Sequence, residues 1–458
     1  MKQLSILLLA LLLTSTAQAQ NNYAEAIQQG DAALRRGQYK TAINKYFAAE
    51  AFDPSKKAVV QGKVNRVFDK IEALRAEADR AKKQAEDALA KANKLVDAFY
   101  FYADRFALAF KKREFYFIDK NGDPVEKLGR WEKAEQFGLN GFAKVKRRNE
   151  DRPLLLDTLG NVYPVAFAVE DLSTDVTALD LSEKDLPQIP EEVFHHPQLK
   201  TLFLNGNPLQ SIPEQIGQLQ NLTYLDLRST NLKILPEQIG ALTYLTQLNL
   251  AYNQLTALPE QFGKLQNLTE LDLSDNLFST LPVQISALKN LTSLDLRYTQ
   301  ISSLPAQIGA LKNLTYLNLS NTPITSLPEQ IGELKNLTAL DLNKTQISSL
   351  PEQIGALINL TYLGLSLTPL TTLPKQIGAL KNLTSLELIN TQISSLPAQI
   401  GELKNLAYLR LSFTQLTSLP EQIGALKNLK LLGLTGSPIS PQEQEKIKKL
   451  LPGCEIQF

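Results

Sequence analysis

The chain of 458 residues is poor in the two residue types that most often build covalent or metal-held structure. Cys454 is the only cysteine, so no disulfide can form within the chain. The only histidines, His195 and His196, are adjacent, and adjacent side chains point in different directions, which argues against a zinc site. Packing alone must therefore hold the fold, and we expect no bound metal.

An excess of charge of one sign is also missing. The sequence has 48 Lys and Arg against 47 Asp and Glu, for a formal net charge of +1. No global field would attract nucleic acid or an anionic membrane. A row of lysines recurs at Lys289, Lys312, Lys335, Lys381, Lys404 and Lys427, but glutamates in the same stretch offset it. We expect no nucleic-acid partner.

Motifs for catalysis are absent as well. The chain has no Ser-His-Asp set with a plausible histidine, no phosphate loop, no dinucleotide fingerprint and no cysteine in a reactive context. Asp119, Asn121 and Asp123 resemble the start of a calcium loop, but the later ligand positions are missing and a polar turn is the better interpretation. The sequence predicts a non-enzymatic protein without a cofactor.

The one long apolar run lies at the start of the chain. Lys2 precedes the run Leu4–Leu13, and Ala17-Gln18-Ala19 has the small-x-small pattern of a cleavage site, so residues 1–19 are typical of a secretory signal peptide. The run is about half the roughly 20 residues that a spanning helix needs. We expect an exported chain in the periplasm, at the cell surface or secreted, with no transmembrane segment after signal removal.

Residues 20–54 resemble a single tetratricopeptide repeat, a helical hairpin in which small residues allow close helix packing and tyrosines fill the space between. The residues that carry the resemblance are Gly30, Ala33, Gly37, Tyr39, Ala42, Tyr46, Ala49 and Pro54. A lone repeat is too small for a peptide groove, so docking and peptide binding both stay open.

Residues 55–111 carry a heptad pattern that predicts a long helix. Its apolar or small positions are Val60, Val64, Val67, Ile71, Leu74, Ala78, Ala81, Ala85, Ala88, Ala92, Leu95 and Phe99. Alanine in the middle buries little area, so this seam would bind a partner helix weakly. Packing back on the hairpin and weak homodimerisation are both open.

Residues 112–170 switch to short extended runs followed by turns, which predicts a small β-rich segment. Phe117-Ile118-Asp119-Lys120-Asn121-Gly122 and Leu155-Leu156-Asp157-Thr158-Leu159-Gly160 are similar to short bacterial β-repeats named after a tryptophan-glycine pair. That pair is missing here.

The rest of the chain is one repeated unit. A proline recurs every 23 residues at Pro190, Pro213, Pro236, Pro259, Pro282, Pro305, Pro328, Pro351, Pro374, Pro397 and Pro420. A fixed period of this length indicates a solenoid, in which each unit buries its apolar face only by stacking on its neighbours. A Leu-x-Leu pair also recurs twelve times in register, which predicts one short strand per unit in a parallel sheet.

One unit, Asn313 to Leu334, reads NLTYLNLSNTPITSLPEQIGEL and resembles the leucine-rich repeats of the Ras-suppressor and plant Ras-group-related proteins. The resemblance implies an α/β solenoid, a horseshoe of about 12 coils over residues 171–440 with a parallel sheet on its concave face. The last 18 residues, 441–458, are predicted to form a closing cap.

Two columns of the repeat have a structural interpretation. Asn-Leu-Thr recurs as part of the consensus, so its match to the glycosylation sequon carries little information. In another column, Asn207, Asn253 and Asn276 give way to threonine at Thr230 and from Thr299 to Thr414. Because a hydroxyl offers fewer hydrogen bonds than an amide, we expect a somewhat different turn in the threonine coils.

The variable side chains between the fixed leucines should face the concave surface, because successive strand residues alternate faces. They are rich in Tyr, Asp and Arg, of which Tyr and Arg are enriched in protein interfaces. The candidate partner-binding residues are Tyr224, Asp226, Arg228, Tyr252, Asp272, Asp295, Arg297, Tyr298, Tyr316, Asn318, Asp341, Tyr362, Tyr408, Arg410 and Phe413.

These observations predict an exported protein that binds another protein through the concave face, with the N-terminal region as a docking module. The alternative is a cell-envelope or surface scaffold or adhesin, attached through its N-terminal region, with a polysaccharide as the second class of partner. A solvated hydrophilic face without a partner would show the same Asp and Asn residues.

Overall fold

The computed structural model describes residues 23–52, 57–71, 73–74, 106–111, 114–119, 121–138, 141–148, 150 and 153–458. The chain divides into two compact units, residues 1–101 with 120–123, and residues 102–119 with 124–458. The predicted signal peptide and most of the heptad segment, 75–105, lie outside the described residues. Among the described helices, none is long and apolar enough to cross a membrane.

The described part of the first unit is helical. It contains α1 (Tyr23–Arg35), α2 (Tyr39–Phe52) and a third helix, α3, over residues 57–71. Gly30 lies against the ring of Tyr46, where an added Cβ would come within 2.5 Å of a ring carbon. Asp31 then joins the three helices, because it accepts hydrogen bonds from the hydroxyl of Tyr46 at 2.6 Å and from Nζ of Lys63 at 2.8 Å.

The start of the heptad segment packs back on the hairpin. Val60, Val64 and Val67 are buried in the same cluster as Tyr46 and the hairpin alanines. Leu74, the next heptad position after Ile71, is 44% exposed. For residues 57–71 the structure therefore favours the intramolecular alternative, and the tetratricopeptide and homodimer interpretations stay predictions.

The second unit begins with seven short strands. The first sheet is antiparallel and has three of them, β1 (Ala107–Lys111), β2 (Glu114–Ile118) and β3 (Arg130–Trp131). Four more form an antiparallel meander, β4 (Lys133–Ala134), β5 (Phe142–Lys146), β6 (Leu154–Asp157) and β7 (Val162–Ala166). Phe117, Trp131, Phe137 and Leu156 share one core cluster, so these strands pack as a single β segment.

Strand β7 pairs in parallel with the first repeat strand, so the sheet continues across the predicted boundary at residue 170. The twelve repeat strands are β8 (Ala178–Asp180), β9 (Thr201–Phe203), β10 (Tyr224–Asp226), β11 (Gln247–Asn249), β12 (Glu270–Asp272), β13 (Ser293–Asp295), β14 (Tyr316–Asn318), β15 (Ala339–Asp341), β16 (Tyr362–Gly364), β17 (Ser385–Glu387), β18 (Tyr408–Arg410) and β19 (Leu431–Gly433). A last strand, β20 (Glu455–Gln457), pairs in parallel with β19. In the described chain, β4 pairs only with β5 and β20 only with β19, so the seventeen strands form an open sheet.

Each coil places the same residues in register. The central leucine of every repeat strand lies opposite the leucine of the next, as Leu225 does with Leu248. The outer side of the first eleven coils is a five-residue 3₁₀ turn that begins directly after the repeat proline, whose missing N–H is not needed there. One continuous core runs from Ala166 to Leu451, and the predicted solenoid of twelve coils is confirmed.

The C-terminal segment closes the array. Helix α4 (Pro441–Leu450) starts at Ser440, whose hydroxyl accepts a hydrogen bond from the backbone N–H of Glu443 at 3.3 Å. Ile447 and Leu451 are buried in the repeat core. This segment covers leucines that would otherwise face water at the last coil.

Candidate binding surface

The strand face is the surface formed by side chains that alternate with the core leucines of β8–β19. In β10, Leu225 and Leu227 are fully buried, whereas Tyr224, Asp226 and Arg228 point to the opposite side. The first, third and fifth residues counted from each strand start therefore belong to this face. In a solenoid of this type it is the concave side.

Aspartate or asparagine at the third position has a local structural reason. Its side-chain oxygen accepts a hydrogen bond from the backbone N–H two residues later, as Asp295 does from Arg297 at 3.0 Å. The same bond occurs at Asp226, Asn249, Asp272, Asn318 and Asp341. In these coils one carboxylate or amide oxygen fixes the turn after the strand, which accounts for much of the Asp and Asn column without a partner.

Burial raises the pKa of some of these carboxyl groups above its ordinary value. Burial raises the pKa of Asp226 to about 6, and burial together with the nearby Asp272 raises the pKa of Asp295 to about 7. Nε of Arg297 lies 3.4 Å from Oδ2 of Asp295, so this carboxylate is paired within its own coil. The carboxylates of adjacent coils repel one another along the strand face.

A hydrogen-bonded network crosses the strand face from β15 to β18. Gly364 stands where most coils carry Asp or Asn, and an added Cβ there would come within 2.6 Å of the hydroxyl of Tyr362. That hydroxyl accepts from Nδ2 of Asn343 and donates to Glu387, both at 3.2 Å. Glu387 is also paired with Arg410 at 3.4 Å. Tyr362 is therefore held in one orientation before any partner binds.

The sixth residue from each strand start has a left-handed backbone. This column comprises Glu183, Gly206, Ser229, Tyr252, Asp275, Tyr298, Asn321, Lys344, Leu367, Asn390, Phe413 and Gly436, with φ between 53° and 76°. Glycine, asparagine and aspartate adopt this conformation readily, whereas for other residues it costs about 1–2 kcal/mol. Half of the column nevertheless carries a bulky side chain in this conformation, namely Glu183, Tyr252, Tyr298, Lys344, Leu367 and Phe413.

Four members of the column are large and apolar, and we call them the apolar row: Tyr252, Tyr298, Leu367 and Phe413. Their exposed fractions are 52%, 48%, 45% and 58%. The ring of Phe413 lies on Gly436 in the next coil, so part of this ring rests on a neighbour. Even so, these residues combine an unfavourable backbone with exposed apolar surface.

The N-terminal end of the strand face is covered by the β segment. Phe142 of β5 packs edge-on against Phe203 and Tyr224, with ring centroids 5.1 Å and 4.8 Å apart. Tyr224 is 7% exposed and Asp226 is 2% exposed. These two candidate residues are buried and not available to a partner: Tyr224 packs on Phe142, and Asp226 accepts the hydrogen bond from Arg228.

The other candidates lie on or beside the open part of the strand face. Arg228, Asp272, Asp295, Arg297, Tyr316, Asn318, Asp341, Tyr362, Tyr408 and Arg410 are on the face, and Tyr252, Tyr298 and Phe413 belong to the apolar row. Tyr408 is 42% exposed, whereas Asn318 is 3% exposed and contributes little surface. Leu367 is the member of the row that is absent from the residues predicted from sequence. It lies one residue before the column in which asparagine gives way to threonine, and that position could have identified it.

The Asn/Thr column is the one that holds asparagine at Asn207, Asn253 and Asn276 and threonine in most other coils. Its asparagine and threonine side chains make different hydrogen bonds. Asn253 donates to the carbonyl of Leu227 in the preceding coil at 2.8 Å and accepts from the N–H of Leu232 at 2.9 Å. Thr345 donates only to Leu342 in its own coil, at 2.8 Å. The residue before the column has nearly the same φ in both versions, so the expected difference lies in the bonds between coils rather than in that dihedral angle.

A groove of about 970 Å³ runs along the starts of the strands. Its lining is Asn267, Asn290, Asn313, Asn336, Asn359, Asn382 and Asn405 with Thr269, Thr292, Thr315, Thr338, Thr361 and Thr384. Each asparagine amide donates to a backbone carbonyl of the preceding coil, as Asn313 does to Lys289 at 2.9 Å. The sequon asparagines therefore have a structural role in joining coils.

Within the described ranges, no group of three or more His, Cys, Asp or Glu side chains is arranged to hold a metal ion. Cys454 is half-buried in the closing segment, where burial raises the pKa of its thiol. The two histidines and the cysteine do not contribute to the strand face.

A family model described as a leucine-rich repeat region matches residues 178–276, 306–361 and 352–451, and a second leucine-rich repeat model matches residues 267–288. Together the matches cover more than half of the chain. No curated protein matches it.

Several solved structures are similar to the chain. An internalin from Listeria monocytogenes is 22% identical, with a TM-score of 0.53, over 66% of this chain and 91% of that one. A TDR receptor is 30% identical, with a TM-score of 0.54, over 59% of this chain and 48% of the receptor. TLR13 in complex with ssRNA13 is 32% identical, with a TM-score of 0.52, over 58% of this chain and 41% of that one. The chain thus spans less than half of the two receptors.

Proposed function

Because the chain belongs to the leucine-rich repeat family, whose members generally bind other proteins, we propose that it is an exported, non-enzymatic protein that binds a protein partner through the strand face. The binding residues are the apolar row together with Arg297, Tyr362, Tyr408 and Arg410. Export is supported by the pattern of residues 1–19.

The observation that carries this proposal is the apolar row. A bulky residue in a left-handed backbone costs about 1–2 kcal/mol, and an exposed apolar side chain recovers little of that by burial. Strain that the fold does not need is characteristic of functional positions. Burial against a partner would return the missing stabilisation, since aromatic residues dominate binding energy in protein interfaces.

Nucleic acid is a less suitable ligand for this surface than protein. TLR13 shares the fold and has been seen with single-stranded RNA. In this chain, however, the strand face presents carboxylates such as Asp272 and Glu387, which would repel phosphate groups.

Asparagine replacements in the row test the proposal. Asn321 and Asn390 already occupy the same column, so Tyr298→Asn with Phe413→Asn should fold, and relief of strain should offset lost contacts to within about 1 kcal/mol. The measurement is quantitative pull-down from the native extracellular or periplasmic fraction, with Lys344→Asn as the matched control. Partners retained by the control should be lost by the double variant, and equal recovery by both would contradict the proposal.

A second candidate is contact with a neutral polysaccharide, which would suit an envelope scaffold. It is favoured by the uncharged lining of the groove along the strand starts, whose asparagine and threonine side chains are fixed by hydrogen bonds. Co-sedimentation with insoluble cellulose or chitin tests it, because Thr315→Lys with Thr338→Lys should abolish sedimentation. Sedimentation that is absent in the wild type, or unchanged in the variant, would rule this candidate out.

Deletion of the first unit separates the docking role from the binding role. Residues 20–101 should be removed rather than 20–168, since β4–β7 belong to the repeat sheet and cover its first coil. Retained binding favours recognition by the strand face, and lost binding favours attachment through the N-terminal region.

A further inference from the structure

We infer that the partner presents a basic, apolar polypeptide segment that lies along the apolar row with its cationic side chains facing the carboxylates of the strand face. This inference rests on the proposed function and adds the chemistry of the partner.

The central coils carry more acidic than basic side chains. Over strands β12–β17 and the turns after them, the acidic residues of the strand face and left-handed column are Glu270, Asp272, Asp275, Asp295, Asp341 and Glu387. The basic residues in the same positions are Arg297 and Lys344. The formal balance in this region is negative although the whole chain is close to neutral.

The chain's own cations neutralise this region only in part. Arg297 is paired with Asp295 and Arg410 with Glu387, each at 3.4 Å. Tyr252 hydrogen-bonds the carboxyl group of Asp275, whose Oδ2 atom is buried without a hydrogen-bond partner within the described structure. Burial raises the pKa of Asp295, and repulsion by Asp272 in the preceding coil and by Asp341 two coils later raises it further. A cation supplied from outside would relieve this repulsion.

The charges and the apolar row occupy the same coils. Tyr298 lies three residues after Asp295, and Asp275 lies between Tyr252 and Tyr298 in the left-handed column. A segment that rests apolar side chains on the row therefore brings its other side chains beside the carboxylates. Lysine and arginine suit such a mixed surface because their stems are apolar and their ends are charged.

The row also sets the length of the segment. Tyr252 and Phe413 are 161 residues apart, which is seven repeat units of 23 residues. At about 4.8 Å per strand the row is roughly 34 Å long. A helix of about 22 residues or an extended segment of about 10 residues spans that distance.

Synthetic peptides test the inference on the full chain. The probe is a fluorescein-labelled peptide of about 22 residues, long enough to span the row as a helix, made of lysine and leucine. Two companions replace all lysine by glutamate or all leucine by serine. Fluorescence anisotropy should show the lysine-leucine peptide binding at least roughly tenfold more tightly than either companion, a difference of about 1.4 kcal/mol.

Three variants identify where the peptide binds. Asp272→Asn with Asp295→Asn and Asp341→Asn removes charge but keeps the turn acceptor that Asn249 and Asn318 provide elsewhere. The matched control, Glu260→Gln with Glu329→Gln and Glu352→Gln, removes the same charge from exposed outer turns. The third variant is Tyr298→Asn with Phe413→Asn. The first and third should weaken binding at least roughly tenfold, and the control should change it less than about twofold.

The outcomes separate the two proposals. If the glutamate-leucine peptide binds as well and only the row variant weakens it, the row is a binding surface but the partner is not basic. If neither the row variant nor the aspartate variant weakens binding, or the lysine-leucine peptide does not bind, both the basic partner and the apolar row are wrong.

Discussion

A glycine follows the outer-turn isoleucine in most coils because the next coil leaves no room for a side chain. At Gly401 an added Cβ would lie 2.3 Å from the carbonyl oxygen of Gln422, and at Gly332 it would lie 2.7 Å from that of Gln353. At Gly263 the nearest atom is the Cβ of Ala287 at 3.5 Å, where the following coil has Ser286 in place of glycine. The same residue type is thus essential in one coil and replaceable in another.

Gly401→Ala should lower the free energy of unfolding by about 1–3 kcal/mol, because a backbone carbonyl must move to admit the methyl group. Gly263→Ala should leave it unchanged or raise it by about 0.5 kcal/mol, because alanine restricts the unfolded chain. Urea denaturation of both variants measures this difference. Equal losses would show that the coil spacing is not what selects glycine.

The raised pKa of Asp295 makes stability depend on pH. Because the folded pKa of about 7 is above the ordinary value of 3.8, protonation favours the folded state, and the resulting stabilisation is lost as pH rises from 3.8 through about 7. Asp295→Asn should therefore raise the free energy of unfolding at pH 8 by about 1–2 kcal/mol, after allowance for the lost ion pair with Arg297.

Urea denaturation at pH 4 and pH 8 checks this dependence, with a gain expected at pH 8 that shrinks at pH 4. Asn318→Asp is the matched control, since Asn318 occupies the same buried position one coil later, and its effect should have the opposite sign. A gain for Asp295→Asn that is the same at both pH values would contradict the assignment.

At the scale of the turn, asparagine and threonine join the coils to different degrees. Asn253 hydrogen-bonds to the backbone of the preceding coil, whereas the hydroxyl of Thr345 bonds only within its own coil. The first coils of the array are therefore connected by side-chain bonds that most later coils lack.

Asn253→Thr should lower the free energy of unfolding by about 2–3 kcal/mol, since the buried N–H of Leu232 loses its acceptor. Thr345→Val should cost about 1 kcal/mol, because only one hydrogen bond within the coil is lost. Thermal unfolding of both variants measures the difference. Unchanged or raised thermal stability for Thr345→Asn would show in addition that the hydroxyl has no special role there.

The solenoid, its period and its strand register could be predicted from sequence because every coil repeats the same local pattern. The burial of Tyr224 could not, since it depends on Phe142, which lies in another element 82 residues earlier. The turn role of Asp295 and the left-handed backbone of Leu367 also escaped prediction. Both depend on the backbone geometry after the strand. The alternation of side chains along the strand does not predict that geometry.

At the scale of the molecule, stability depends on the two ends of the array. Each internal coil contacts mainly its neighbours, whereas the last coil is covered by Ile447, Leu451 and β20. Nearest-neighbour stacking makes internal coils interchangeable and end segments indispensable.

Deleting residues 328–350 removes one unit in register, and it should leave a cooperative transition with a melting temperature lowered by about 2–4 °C. Deleting residues 441–458 removes fewer residues but exposes the apolar core of the last coil, and it should cause aggregation or a loss of cooperativity. Circular dichroism and size-exclusion chromatography distinguish these results. A well-behaved monomer after removal of the end segment would contradict the capping role.

The uniform 23-residue period separates the identity of the contact residues from their spacing. Tyr298 and Leu367 stand three units apart, while the other neighbours in the row stand two units apart. Recombination between near-identical stretches of the gene could add or remove whole units, and each event would shift this distance by one strand spacing without altering a single contact residue. The length of the apolar row could thus change in fixed increments to match partners of different length. Point mutations in the left-handed column could change the contact side chains independently of that length.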